Sequence, residues 1–302
     1  MRRTLALALL VPLALGCPKD TDDTSGTDDT GPDTSDPMDR FIHLTDELAG
    51  DIACFEPGSD WLAQTVDDAK VATRSLEGLV EDFEDEIGVN EVELEVWFGD
   101  AFTGTADATT ESNSAGDVTI ELPTCTALAY KTSTPPDEER TVDTYEAHQI
   151  YGFVDEGLAL TDNFNSVSQA TYMLIPSLLG VSMDDDKSVI AGTAYGCDGE
   201  PLQNAQVVVV DASGAIPDTL VVNYFEDSWP VRDQPHTSED GLWVAMNVPE
   251  GAWTVQLWAL VGGEVVLLGA TELTTFAASI NISNIYTGYG DGVYFPDSCL
   301  AE

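Results

Sequence analysis

The chain has 302 residues, with 10 Lys and Arg against 55 Asp and Glu and a formal net charge of −45. So negative a field repels phosphate backbones, which excludes nucleic acid as a partner, and it opposes docking on anionic lipid. It favours solubility, cationic partners and divalent ions; no cofactor is expected, and calcium is possible.

In chain order, Arg2 and Arg3 precede an uncharged apolar run from Leu5 to Leu15. That run is shorter than the roughly 20 residues a membrane-spanning helix needs, and with its basic flank it reads as a secretory signal peptide over residues 1–16. The residues Ala14-Leu15-Gly16-Cys17 resemble the lipobox of bacterial lipoproteins, although Leu13 stands one place further back than the usual leucine. The resemblance implies cleavage before Cys17 and acylation of its sulfur, and two or more acyl chains anchor a protein stably. Pro18 occupies the place of the familiar inner-membrane retention aspartate, which points to the outer membrane of a bacterial envelope. Residues 20–39 then carry eight Asp and five Thr with no aromatic or branched aliphatic side chain. Such a composition cannot offset the entropy of ordering, so residues 17–40 read as the lipidated cysteine and a disordered acidic leash.

The rest, roughly 260 residues, suffices for two ordinary domains. Alternation of period two dominates it. Val92, Leu94, Val96 and Phe98 share one face of EVELEVWF, and Val118, Ile120 and Leu122 share one face of DVTIEL. Leu242, Val244, Met246 and Val248 do so in LWVAMNV, and Trp253, Val255, Leu257 and Ala259 in WTVQLWAL. Gly262-Gly263, between apolar runs, fits a two-residue hairpin turn. The segment SVSQATYMLIPSLLG predicts a short helix capped by Ser166, ended by Gly180 and interrupted by Pro176. Many short strands with one helical insertion predict an all-β fold of two tandem antiparallel β-sandwiches. The expected boundaries are 41–135 for the first sandwich, 136–184 for a partly helical connector and 185–302 for the second.

An internal repeat supports this reading. Gly78 and Asn90 recur at one constant offset as Gly192 and Asn204, each before a valine-bearing strand. SNSAGDVTIELP matches TSEDGLWVAMNVP in layout: a polar turn with Gly, an alternating strand, then a proline. Repeated units of this kind point to duplication. The second copy, from Gly192 through the turn ending at Pro201, Asn204-Ala205, Asp240-Gly241 and Asn247 to Gly251, resembles the carboxypeptidase regulatory-like domain. That family is a transthyretin-like β-sandwich, and the resemblance implies a non-catalytic module for binding, spacing or stabilising. The first copy resembles it loosely and lacks the proline turn and the Asp-Gly pair.

Besides Cys17, the cysteines are Cys54, Cys125, Cys197 and Cys299, an even count that reads in an exported chain as two disulfides. Three connectivities are possible. Because each half holds two, the expected pairs are Cys54 with Cys125 and Cys197 with Cys299.

No catalytic residue is assigned. His236 and Glu239 in HTSE match a metallocarboxypeptidase H-x-x-E, but a catalytic zinc needs three protein ligands and no histidine follows His236. Lys187 lies outside the strand position that a Lys–Asn isopeptide with Asn281 or Asn284 requires. Glu146 and His148 in TYEAHQIYG form the most suggestive polar cluster. GYGDGVYFPDSC reads as a closing loop held by Cys299. The expectation is a non-enzymatic, lipid-anchored envelope protein whose partner is an envelope protein or polysaccharide. The alternatives are a calcium-dependent carbohydrate-binding module and a hydrolase of polysaccharide or peptide that uses carboxylates.

Overall fold

A computed structural model of the chain describes residues 37–84, 86–135 and 140–301. The signal peptide, Cys17 and most of the acidic leash lie outside the described residues. Two strand sets with the same plan follow one another. The first comprises β1 (Thr73–Asp82), β2 (Glu93–Phe98), β3 (Ala108–Glu111), β4 (Asp117–Pro123), β5 (Leu128–Ser133), β6 (Thr141–Val142), β7 (Thr144–Gln149), β8 (Leu160–Thr161) and β9 (Phe164–Ser168). After helix α1 (Gln169–Leu179) come β10 (Lys187–Tyr195), β11 (Ala205–Val210), β12 (Val221–Glu226), β13 (Trp229–Val231), β14 (Leu242–Pro249), β15 (Gly251–Val261), β16 (Glu264–Thr275), β17 (Ile280–Ile282) and β18 (Ile285–Tyr286). The fold is therefore all-β with one short helix among the described residues. The segment 136–184, expected as a connector, supplies strands as well as that helix.

Alternation places the cores. Leu76, Val80, Val92, Leu94, Val96, Val118, Ile120 and Leu122 pack with Tyr130 and Phe164 inside the first copy. Val207 to Val210, Trp243, Val255, Leu257, Ala259 and Leu268 pack inside the second. Phe98 departs from the predicted face and is exposed, because β2 ends there. Val248 departs as well. Val244 and Met246 face the helix-covered side, whereas Val248 joins the inner core. Left-handed Asn247 (φ 58°), beside a register shift in the β10–β14 pairing, turns the strand over between them. Gly262 and Gly263, both at positive φ, make the predicted turn between β15 and β16.

The repeat is visible atom by atom. Gly78 of β1 stands opposite Val118, two residues after Gly116, and Gly192 of β10 opposite Trp243, two residues after Gly241. At each glycine the parallel partner strand breaks, between β8 and β9 in one copy and β17 and β18 in the other. A Cβ on Gly78 would overlap the carbonyl oxygen of Asp162, and one on Gly192 that of Ser283. The next amide, orphaned by the break, donates to an asparagine side chain: Leu79 N to Asn163 Oδ1 (3.0 Å) and Thr193 N to Asn284 Oδ1 (3.1 Å). An asparagine thus supplies the missing ladder acceptor in both copies.

The repeat also corrects one expectation by a residue. Glu91, not Asn90, is the counterpart of Asn204. Both have left-handed backbone (φ 56° and 67°), and both donate their amide to a hydroxyl residue, Ser112 O or Thr237 O. The following amides, Val92 N and Ala205 N, then donate to Ser112 Oγ and Thr237 Oγ1. Asn90 instead accepts from Arg140 Nη1 at 2.8 Å.

The two sandwiches do not sit as separate beads. One sheet of the first copy, β3-β2-β5-β7, joins the edge of the second copy's β17-β10-β14-β12-β13 through parallel pairing of Thr144 to Glu146 with Ile280 to Ile282. The result is a ten-stranded sheet, and the described residues form one compact unit. The pairing is mixed: β1 and β10 pair antiparallel with β4 and β14 on one side, as expected, but parallel with β8, β9, β17 and β18 on the other, and the seam is parallel as well. Helix α1 starts at Ser168, whose Oγ accepts from Thr171 N, and not at Ser166, which is buried in β9; Gly180 ends it as predicted. The helix covers the outer face of the second copy through Tyr172, Ile175 and Leu179.

The disulfides are crossed relative to expectation: Cys54 joins Cys197 (Cα–Cα 5.7 Å) and Cys125 joins Cys299 (5.3 Å). The cause is the path of the termini. Met38, Phe41, Ile42, Leu48 and Ile52 pack on the second core, so this early strap lies on the copy that follows it last in sequence. Leu48 N and Asn204 Nδ2 donate to Leu260 O and Glu47 O, and the Glu47 carboxylate accepts from both turn glycines, Gly262 N and Gly263 N. Cys54 is thereby delivered to Cys197. The C-terminal segment runs back beside the strap, with Val66 bridged to Leu300, and delivers Cys299 to Cys125 in the first copy.

Candidate functional site

The seam strand β7 carries the two residues that the sequence singles out, and the structure separates them. Glu146 is buried and accepts hydrogen bonds from Tyr130 Oη, Gln149 Nε2 and Asn165 Nδ2 (3.0 Å for the last). Burial raises its pKa, and these three donors oppose the rise. Tyr130 is pushed well above its ordinary value by burial first and by the Glu146 carboxylate second. This network ties β5, β7 and β9 together inside the first copy and does not line a cavity among those described.

His148, two residues on, would share the face of Glu146 in a regular strand. Its left-handed backbone (φ 62°) redirects it into a groove of about 690 Å³ where the two copies meet. The groove is walled by Asp100 of the first copy, by Asp211, Trp253 and Glu272 of the second, and by Asp291 of the closing loop. Among the described residues, no lysine or arginine lines it. The His148 side chain is only 9% exposed. Its Nε2 lies 2.7 Å from Glu272 O, a group that can only accept, so Nε2 carries the proton of the neutral ring. Nδ1 then faces Asp100 Oδ1 at 3.5 Å with no hydrogen-bond partner. Burial disfavours the protonated ring, but Asp100, the Glu272 carbonyl and Asp291 outweigh it and raise the His148 pKa.

Beside this groove the seam is aromatic and half-buried. Phe276 of the second copy stacks on Tyr145 of the first (centroids 4.1 Å), and Phe102 meets both edge-on. Lys131 spans the same place, 2.9 Å from Asp143 and over the Tyr145 ring.

A smaller cavity of about 310 Å³ lies beside the Cys54–Cys197 bridge, lined by Leu62, Gln64, Tyr286, Tyr289 and Tyr294. The tyrosines of the closing segment spend their faces on one another: Tyr286 stacks on Tyr195 and on Tyr294, and Tyr289 meets Tyr294 edge-on. The segment is a closing loop, tied down where Cys299 meets Cys125.

The remaining sequence candidates resolve simply. His236 pairs with Asp46 of the strap (Nε2 to Oδ2, 3.3 Å), and Glu239 is exposed, so HTSE is a loop that packs the strap. Lys187 pairs with the adjacent Asp186 at 2.9 Å, while Asn281 Nδ2 donates to Val189 O. Among the described residues, no group of three or more His, Cys, Asp and Glu is placed to hold a metal ion, and no helix is long and apolar enough to cross a membrane. Asp100 carries no local signal in the sequence, and nothing local to Trp253 or to Asp291, which lies in the Gly- and Tyr-rich closing loop, points them to this groove. They come from three distant segments that only the seam and the closing loop bring together.

No family model and no curated protein matches the chain. Among solved structures it is similar to the Bacillus anthracis TIE protein, at 12% identity and a TM-score of 0.26 over 72% of this chain and 34% of that one, so it spans about a third of that protein's length. It is also similar to the shaft pilin SpaA from Lactobacillus rhamnosus GG, at 10% identity and a TM-score of 0.23 over 74% of this chain and 100% of that one. A third is BcpA, the major pilin subunit of Bacillus cereus, at 8% identity and a TM-score of 0.22 over 72% and 100%. At these TM-scores the likenesses say nothing about activity.

Proposed function

We propose that the protein is a lipid-anchored component of a bacterial cell envelope that holds or spaces a partner without catalysis, built from two modules of the transthyretin-like, carboxypeptidase regulatory-like type. The observation that supports this reading is the seam. Parallel pairing of β7 with β17 makes one sheet of two modules, and the terminal segments are each bridged to the copy more distant in sequence. A body built this way transmits position across its full length, which suits a spacer or platform. Anchorage rests on the lipobox-like residues ending at Cys17, and the acidic tract behind it would act as a leash with a mean span of roughly 25 Å.

The test is chemical cross-linking on intact producing cells followed by mass spectrometry, with a Cys17→Ala version beside it. One dominant protein partner, lost with the anchor, is the expected result. Cross-linking that captures no specific protein in either version contradicts the assembly role.

A further inference from the structure

The neutral form of His148 poses a chemical problem. With its proton on Nε2 for the Glu272 carbonyl, the ring turns the lone pair of Nδ1 toward the Asp100 carboxylate, so two acceptors face each other at 3.5 Å. Asp291 adds a second carboxylate, Asp211 also lines the groove, and no basic side chain among the described residues answers them. A proton on Nδ1 relieves this conflict at low pH. At higher pH something else must bring both N–H donors and positive charge. A metal ion is disfavoured, since no set of three ligands is placed to hold one among the described residues. An ammonium or guanidinium group has the required properties: several donors, a delocalised or compact charge, and affinity for an aromatic wall such as Trp253.

We propose that the groove between the two copies binds a cationic side chain, a lysine or arginine presented by the partner, between Asp100, Asp291 and His148. This rests on the partner-binding reading above and names its site. Only when that cation occupies the groove is the protonated form of His148 excluded. The charged and titratable groups around His148 are Asp100 from the loop after β2, Glu272 from β16 and Asp291 from the closing loop, with Asp211 lining the same groove. The ligand's charge and the imidazolium compete for the same carboxylates, so binding releases a proton. By linkage the coupling is reciprocal: ligand lowers the His148 pKa, and acid weakens binding.

The experiment uses the oxidised full chain with labelled histidine, in which only His43, His148 and His236 contribute ring signals. The probes are Nα-acetyl-lysinamide and Nα-acetyl-argininamide, with the neutral norleucine analogue and calcium chloride as comparisons. The expected result is a lowered His148 titration midpoint with either cation and unchanged midpoints for His43 and His236. Affinity should be at least about tenfold weaker at pH 5.5 than at pH 8, since only the unprotonated fraction binds and the His148 pKa lies above its ordinary value. Asp100→Asn and Asp291→Asn should each weaken binding several-fold, and His148→Gln should bind with little pH dependence. The proposal is overturned if the cations leave His148 unmoved, if both Asp variants bind like the parent, or if calcium alone shifts the midpoint. A partner captured on cells equally well by the Asp100→Asn and Asp291→Asn variants would overturn the groove while leaving the envelope role intact. A groove that binds cations on a protein with no captured partner would do the reverse.

Discussion

The two copies share a mechanism of construction and differ in how they are finished. In both, a glycine in the first strand lets a neighbouring chain approach, an asparagine replaces a lost ladder acceptor, and a hydroxyl residue clamps the start of the second strand. The connections after the first strands even close alike, through the bridges Glu81–Gly88 and Tyr195–Pro201. The exteriors do not repeat. The second copy is wrapped by the strap over its inner-core edges and by α1 over one outer face. On the first copy's outer face, Trp97, Ala129 and Ala147 of the sheet form a small cluster with Phe102 and Ala106. The contacts that fix strand register are thus shared by the two copies, while the covering elements differ.

The largest effects should come from the disulfides, which are also unlike one another. Cys125 and Cys299 are 3% and 0% exposed, whereas Cys54 is exposed. Each bridge spans a long stretch, with separations of 174 and 143, and contributes about 5 kcal/mol in the chain-entropy model. Replacing Cys125 and Cys299 with serine should lower the urea midpoint most, because it also leaves polar groups in a dry site. Replacing Cys54 and Cys197 should instead free the strap first, seen as fast amide exchange over residues 41–54 ahead of global unfolding.

Next in size are the paired glycines. Gly78→Ala and Gly192→Ala each force a methyl group onto a carbonyl oxygen, and each should cost about 2–3 kcal/mol in denaturant unfolding. Equal losses would sharpen the claim that the copies are built alike, and a tolerated substitution in one of them would break it. The asparagines come last. Asn284→Ala strands a half-buried amide at Thr193 and should cost about 1–2 kcal/mol, whereas Asn163→Ala strands a more exposed one at Leu79 and should cost less.

What the sequence made legible was local. Alternation located the core strands around Leu94, Ile120 and Leu257, the glycine pair located a hairpin, and the repeat pointed to Gly78 and Gly192. What it hid was set by tertiary topology. The seam depends on β17, a three-residue strand too short to show a period. The crossing of the disulfides depends on where Phe41 and Ile52 dock, which no spacing of cysteines encodes. In the candidate site, His148 stood out beside Glu146, but a single left-handed residue sends the two into different environments. Asp100, Trp253 and Asp291 became neighbours only through the seam.

The central claim is that the terminal segments cross, so that each bridge joins a terminus to the copy more distant in sequence. Mass-spectrometric mapping of a non-reduced digest tests it directly. The structure requires cross-linked peptides that contain Cys54 with Cys197 and Cys125 with Cys299. Peptides joining Cys54 to Cys125 and Cys197 to Cys299 would contradict it and restore two independently closed modules.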